Sequence, residues 1–358
     1  MLWGKIEPDL ENTNQTGGDG GNGMGTVFAP MGYVSHQLDE KWTVGFGAYG
    51  GFGDELEYKN DWAGRYMIQK DTLVGASLVP SVAYKLNDQW SFGLGLNAVY
   101  GEVELQLAFA NDRPGITCTL GNCPGPDGRI KYSEHEWGFG GNAGVIYAPR
   151  DGTRIGFNYT SKVDLDFGGR IGLRGVGGGA VIPERDIRQS LEADVTIPQT
   201  ATVSLFQQLD SRWALLASAN WQENSEFSTI GIKLDELGAQ TDADLHWKDT
   251  YHGSIGVQYQ SSEELLWNAG IGYDTSAVDN SDRIWGLPIT DILRGGLGAV
   301  WSLDPGTQLH FSYMFSWLGD VKVEEHRNEH LVSSEKIVSG KLPNAYINYF
   351  AAGLSMRF

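Results

Sequence analysis

The chain has 358 residues, 49 of them glycine, with aromatics at 11% and a formal net charge of −19. That charge excludes nucleic acid as a partner, because phosphate contacts need a basic surface. No apolar run approaches the ~20 residues of a membrane-crossing helix. Strands that alternate lipid-facing and interior-facing residues keep a modest average hydropathy, so a membrane protein built of strands stays open.

Met1-Leu2-Trp3-Gly4 carries neither a basic nor an apolar leader region, so no signal peptide is visible. Period-two alternation then predicts fourteen strands, at 1–11, 25–37, 41–53, 72–86, 90–107, 134–148, 154–166, 190–209, 213–233, 243–260, 265–275, 291–302, 307–323 and 346–358. Connections at 38–40, 87–89, 149–153, 210–212, 261–264 and 303–306 are short. Those at 12–24, 54–71, 108–133, 167–189, 234–242, 276–290 and 324–345 are long and are read as outer loops. Short turns alternating with long loops, both termini at the short-turn end, predict an up-and-down barrel. The expected fold is therefore all-β, a single fourteen-stranded antiparallel transmembrane β-barrel over 1–358. A propeller would show a repeated blade signature, and none is found.

Several stretches refine this. Asn12–Gly25 is too polar and glycine-rich for a packed plug and reads as the first outer loop. In the fifth strand Trp90, Phe92, Leu94 and Leu96 share the lipid face, while Ser91, Gly93, Gly95 and Asn97 face the interior. After Gly101 the pattern reverses: Glu102, Glu104 and Gln106 point outward, and Val103, Leu105 and Leu107 form an apolar mouth suited to a greasy ligand. Trp42, Trp90, Trp213, Trp267 and Trp301 sit beside short turns, and Trp62, Trp137, Trp247, Trp285 and Trp317 lie near long loops. Two such rings are expected to be interfacial girdles. Cys118 and Cys123 lie in a Gly/Pro loop with too few neighbouring ligands for zinc, which leaves a local disulfide in an oxidising compartment or two free thiols. The final strand ends on Phe358. It resembles the closing strand of bacterial outer-membrane barrels, so Phe358 is expected to serve recognition by the barrel-assembly machinery.

The hairpin Y-K-L-N-D-Q-W-S-F-G-L-G-L-N-A-V-Y (Tyr84–Tyr100) resembles the outer-membrane long-chain fatty-acid transporters of FadL type and the hydrocarbon-uptake proteins of TodX type. H-E-W-G-F-G-G-N-A-G-V-I-Y (His135–Tyr147), W-K-D-T-Y (Trp247–Tyr251) and the closing strand extend the resemblance. It implies an N-terminal hatch in the lumen, capture between outer loops, an inner apolar site and sideways release through a kinked third strand. Here the kink falls at Gly50, Gly51 and Gly53, and glycine inside a strand marks a bend on physical grounds too. Two departures follow. The hatch that should precede the first strand is not seen, so the chain is expected to begin downstream of a signal peptide and hatch. The positions of the family's carboxylate-binding cations hold Leu107 and Ala243.

Lys162, His246, Lys248, His252 and Arg294 point inward by strand parity; Lys162, Lys248 and Arg294 are the candidate replacements for the lost charge. The expected ligand is a long-chain fatty acid, with neutral or aromatic hydrocarbon as the alternative and a hydrophilic porin or outer-membrane hydrolase as the readings from other classes. Seven histidines make no catalytic constellation, so neither enzyme activity nor a cofactor is expected. The expected setting is the bacterial outer membrane, with a monomer among lipid and lipopolysaccharide.

Overall fold

The computed structural model describes residues 1–109, 127–176, 185–234, 239–327 and 336–358. All the named strands belong to one sheet of nineteen segments, each ladder antiparallel. The first seven are β1 (Leu2–Lys5), β2 (Asp9–Thr13), β3 (Gly32–Gln37), β4 (Trp42–Glu57), β5 (Lys70–Lys85), β6 (Trp90–Phe109) and β7 (Gly128–Arg150). The next four are β8 (Thr153–Thr160), β9 (Val163–Val176), β10 (Arg185–Ile197) and β11 (Thr200–Gln208). There follow β12 (Trp213–Gln222), β13 (Thr229–Leu234), β14 (Ala239–Asp244) and β15 (Thr250–Gln260). The last are β16 (Leu265–Asp274), β17 (Ile292–Asp304), β18 (Thr307–Arg327) and β19 (Lys336–Met356).

Nineteen segments replace the fourteen unbroken strands expected, because five of those strands are divided. The first breaks around Pro8, between β1 and β2. The other four breaks lie on neighbouring strands: Ser161–Lys162, Pro198–Gln199, 223–228 and 245–249. Pro198 has no N–H to give a ladder, and His246 takes a positive φ of 54°. Backbone groups at the breaks find partners outside the main ladders, Ser161 N–H on Gly141 O at 2.8 Å and Lys248 N–H on Ala277 O at 2.7 Å, and side chains tie the breaks together. Ser225 N–H and its hydroxyl both donate to Asp249 Oδ1, at 3.4 and 2.7 Å. Trp221 Nε1 donates to Asp249 Oδ2 at 2.9 Å, and Lys162 Nζ to Glu226 Oε2 at 2.9 Å.

Long strands also reach further than expected. β7, β18 and β19 run through parts of the stretches read as outer loops at 108–133 and 324–345. The predicted second strand, in contrast, shortens to β3 from Gly32, just after Pro30.

The sheet rolls up with an apolar convex face, on which Leu94 is 62% and Leu297 65% exposed. It is not closed. β19 pairs with β1 up to Leu2↔Tyr349, and β1 meets the chain ahead of β3 in no ladder, through the bridge Leu2↔Val27 and the bond from Asn22 Nδ2 to Gly4 O at 2.9 Å. Neither β3 nor β19 beyond Phe350 carries a further ladder on its remaining edge among the described residues. The concave side holds the buried core in two clusters, both toward the long-loop end.

Candidate functional site

The first cluster is built by loops that fold inward. The loop after β4 carries Tyr58, Trp62, Met67 and Ile68, and the loop between β16 and β17 carries Trp285. Both indoles have 0% exposure and pack against Val321, Val323, Val338 and Leu342 of β18 and β19. Tyr58 stacks on Trp62 with ring centroids 4.5 Å apart, and its hydroxyl donates to Trp285 O at 3.1 Å. Trp62 and Trp285 are therefore interior residues, which corrects their placement in an interfacial girdle. A polar loop can bury two indoles here because each ring N–H reaches a backbone carbonyl.

The second cluster lies between β6–β7 and β9–β10. It holds Val99, Tyr132, Val163, Leu165, Phe167, Leu191, Ala193 and Val195, with Val103 and Leu105 packed against it. Its geometry depends on glycine. A Cβ on Gly138 would lie 2.4 Å from Val163 Cγ1 and 2.6 Å from Asp164 O, and one on Gly101 would lie 2.5 Å from Leu165 Cδ1. Absence of side chains at these points lets β9 lean onto the concave face of β7 instead of continuing beside it. The ladders agree. β7 pairs with β8 as far as Asn142↔Thr160 and with β9 only from Lys131↔Gly172. Trp137 N–H, turned to the gap, takes Glu136 Oε1 as its acceptor at 2.8 Å.

A second separation lies at β4. Its ladder to β3 ends at Gly32↔Ala48, and the next backbone pairing on that edge is the bridge Met24↔Leu56. On the other edge, pairing with β5 shifts register between Gly50 and Phe52, a bulge. Gly50, Gly51 and Gly53 thus sit on a bent strand that no longer shares a ladder with its outer neighbour, although Ala29 still packs against Gly50. An unbroken row of cross-strand partners, Phe52, Gly75, Gly101 and Glu136, joins the bulge to the strands that carry the second cluster. Below this level the concave wall is small and polar: Gly45 faces Ser81, Gly95 faces Asn142, and Asn220 donates to Thr202 Oγ1 at 2.8 Å.

A family model described as outer membrane protein transport protein (OMPP1/FadL/TodX) matches residues 5–358. The chain belongs to this family. The long-chain fatty acid transport protein of Escherichia coli O6:H1 is 26% identical over 335 residues, 86% of this chain and 75% of that protein. Outer membrane protein P1 of Haemophilus influenzae is 27% identical over 309 residues, 81% of this chain and 66% of that protein. Among solved structures, a Pseudomonas aeruginosa FadL homologue superposes with a TM-score of 0.85 at 19% identity, covering 99% of this chain and 88% of its own. The Pseudomonas putida toluene transporter TodX gives 0.69 at 17% identity, covering 99% and 88%. At these identities the structures show the shared fold.

Membership in this FadL/TodX family places the chain in the bacterial outer membrane as a β-barrel, and its members are transporters. The exposed convex belt is then its lipid-facing surface. Trp42, Trp90, Trp213, Trp267 and Trp301 stand exposed at the short-turn end, and Trp137 and Trp317 at the other. Trp247 is half-buried, tilted against Phe227 with centroids 4.6 Å apart.

Of the residues singled out in the sequence, Val103, Leu105 and Leu107 are half-buried on the concave side, and Leu105 touches both clusters. Lys162 and Lys248 lie in strand breaks, so strand parity does not govern them. Each already has a carboxylate partner: Lys162 has Glu226, and Lys248 has Asp279. Arg294 does lie on a strand; its Nε donates to Asp274 Oδ2 at 2.5 Å, and His252 Nδ1 lies 3.0 Å from the other oxygen. Phe358 is fully exposed beyond the end of β19. Cys118 and Cys123 lie outside the described residues.

Sequence reasoning missed the Trp62–Trp285 pair, for which the available signal was indoles sitting well inside long loops. It also missed a charge network above the outer girdle. Glu104 accepts from Lys70 and Lys131, each at 2.6 Å, and from Gln106 at 2.8 Å. Burial opposes its charge, but the hydrogen bonds from Lys131, Lys70 and Gln106 outweigh that and hold the carboxyl at a pKa of about 2.

Proposed function

We propose that this chain takes up elongated hydrophobic molecules across the outer membrane, long-chain fatty acids foremost, and releases them sideways at the β4 bulge. The observation that carries this reading is the vertical order of the interior. Apolar clusters sit at the mouth, a small polar wall lies beneath them, and the β4 bulge, where the ladder to β3 has ended, is joined to the second cluster by a row of cross-strand partners. A greasy molecule held at Val103, Leu105 and Leu107 then has a side exit and no apolar path downward. Counting each divided strand once gives fourteen wall strands in a single barrel. The protein acts as a monomeric transporter, not an enzyme, among lipid and lipopolysaccharide. Phe358 serves as the signal read by the assembly machinery, and Phe358→Asp is expected to leave the chain unassembled.

A double-cysteine lock tests the exit. The Cβ position of Gly50 lies 3.9 Å from Ala29 Cβ, within the range a disulfide spans. Ala29→Cys with Gly50→Cys is expected to block uptake when oxidised and restore it when reduced. Uptake indifferent to oxidation, with the bond shown by mass, rejects the lateral route. A second reading, neutral or aromatic hydrocarbon as the ligand, is favoured by the carboxylates already held by Lys162, Lys248 and Arg294. Competition between a fatty acid, its methyl ester and an alkane separates the two: equal affinities favour the neutral ligand.

A further inference from the structure

Three buried side-chain atoms among the described residues lack a hydrogen-bond partner: Gln69 Oε1, Thr72 Oγ1 and Asn97 Oδ1. A buried acceptor left unpaired is uncommon, and a ligand's donor gains by filling it. Gln69 lines a polar cavity near the outer loops, and Thr72 is in register with the outward Glu104. Asn97 alone faces the interior beside an apolar cluster. It stands two residues before Val99 on the same face of β6 and is only 8% exposed.

What covers Asn97 is tied to β7 at one end: Ser161 N–H donates to Gly141 O at 2.8 Å and Gly141 N–H to Ser161 Oγ at 2.9 Å, and no ladder to β7 follows until Lys131↔Gly172. The cross-strand partner of Asn97 is Gly140 of β7, and a Cβ there would lie 2.7 Å from Ser161 Oγ and 2.8 Å from Val163 Cγ2. The cover is therefore the start of β9, within the stretch that shares no ladder with β7. Beyond the Ser161–Gly141 tie, β9 from Val163 can shift without breaking ladder bonds to β7, which brings Asn97 within reach of a molecule lodged among Val99, Val163 and Leu165.

We propose that Asn97 Oδ1 accepts a hydrogen bond from the head of the transported molecule, and that this head is a neutral hydroxyl, either of an alcohol or of a carboxylic acid carrying its proton. The inference rests on the hydrophobic-uptake reading above and narrows its substrate class. A carbonyl oxygen repels an ionised carboxylate and bonds an O–H. The nearby charges act in the same direction. Glu134 and Glu136 of β7 are in register with the interior-facing Val103 and Gly101, while Lys162 at the base of β9 is held by Glu226.

The test is equilibrium binding, in detergent, of four probes of equal chain length: an alcohol, the acid, its methyl ester and the alkane. Wild type, Asn97→Leu and Asn97→Ser are compared, each first shown to give the compact band of a folded barrel. Wild type is expected to bind the alcohol roughly tenfold tighter than the ester and the alkane, the scale of one buried hydrogen bond. In Asn97→Leu that gap closes while alkane affinity holds. In Asn97→Ser, which keeps an acceptor, part of it remains. If the acid follows the alcohol across the variants, the protonated acid is a source of the hydroxyl; if only the alcohol is sensitive, the alcohol is. Equal binding of alcohol and alkane to wild type means that a water serves Asn97, and overturns the proposal. So does preference for the ester, which would put the amide nitrogen at that position, or a gap that survives Asn97→Leu. If none of the four binds, the uptake reading itself fails. If all four bind alike, that reading stands and the role of Asn97 falls.

Discussion

Trp62 and Trp285 meet edge to face in the barrel mouth, ring centroids 5.8 Å apart and planes at 82°. They arrive on loops far apart in the sequence, and each anchors its N–H on a backbone carbonyl: Trp62 on Ile68 at 2.7 Å, Trp285 on Val338 at 3.1 Å. Neither loop has regular structure to hold it in place, so the pair fixes both. Trp285→Ala is expected to lose ~3–5 kcal/mol of stability, the usual effect of deleting a buried aromatic. It should also raise single-channel conductance in planar bilayers. Unchanged conductance in a folded variant would mean that the mouth is closed elsewhere.

Glu104 gives a pH prediction with a definite sign. Its carboxyl titrates lower in the folded chain, at about 2, than in an unfolded one, where it titrates near 4.5. The stabilisation is therefore complete above the unfolded value and is lost as pH falls from there toward 2. The unfolding temperature, read from the heat-shifted gel band, is expected to drop across that window. Glu104→Gln should start lower and drop less. Identical profiles for the two proteins would remove Glu104 from the account.

At Gly138 a Cβ would lie 2.6 Å from Asp164 O, a backbone atom that cannot turn aside. Gly138→Val should therefore push β9 off β7 while leaving the β6–β7 ladder intact. Limited proteolysis is expected to reveal new cleavage between 161 and 171, with the barrel still heat-modifiable. Gly168, whose Cβ position meets nothing, is the control: Gly168→Ala should leave the pattern unchanged.

Arg294 separates a structural cation from a ligand-binding one. Its guanidinium donates to Asp274 at 2.5 Å and to Ser316 at 3.3 Å. Arg294→Met leaves the partly buried Asp274 with His252 alone, and the cost should fall below the ~3–5 kcal/mol of a fully buried pair that loses one partner. Thermal stability should fall accordingly. The ratio of acid to methyl-ester affinity should not move. A selective loss of acid binding would instead give Arg294 to the ligand.

The sequence reveals most where one side of a strand meets lipid. Trp90, Phe92, Leu94 and Leu96 alternate with Ser91, Gly93 and Gly95 because the two faces meet different solvents, and the segment is a strand as expected. Above the membrane both faces meet water or protein, so the alternation fades. That is why the upper parts of β7, β18 and β19 were read as loops. The strand breaks were hidden for another reason. At Ser161–Lys162 and 245–249 backbone N–H groups are taken by residues distant in sequence: Ser161 N–H donates to Gly141 O at 2.8 Å and Lys248 N–H to Ala277 O at 2.7 Å. The glycines of W-G-F-G-G-N (Trp137–Asn142) were visible, but that they make room for Val163 is a tertiary fact.

The small polar wall beneath the apolar clusters has an energetic consequence. A wall of this kind suits water and not hydrocarbon, so on the uptake reading a hydrocarbon tail would lose roughly 0.8 kcal/mol for each CH₂ exposed there. For a tail of about fifteen such groups the penalty is ~12 kcal/mol, or about nine orders of magnitude in occupancy. No moving part is then required to keep cargo from draining into the periplasm. On that reading the polar wall is itself the stopper, and it selects by solubility alone, so a solute with no tail to hydrate would meet no such barrier.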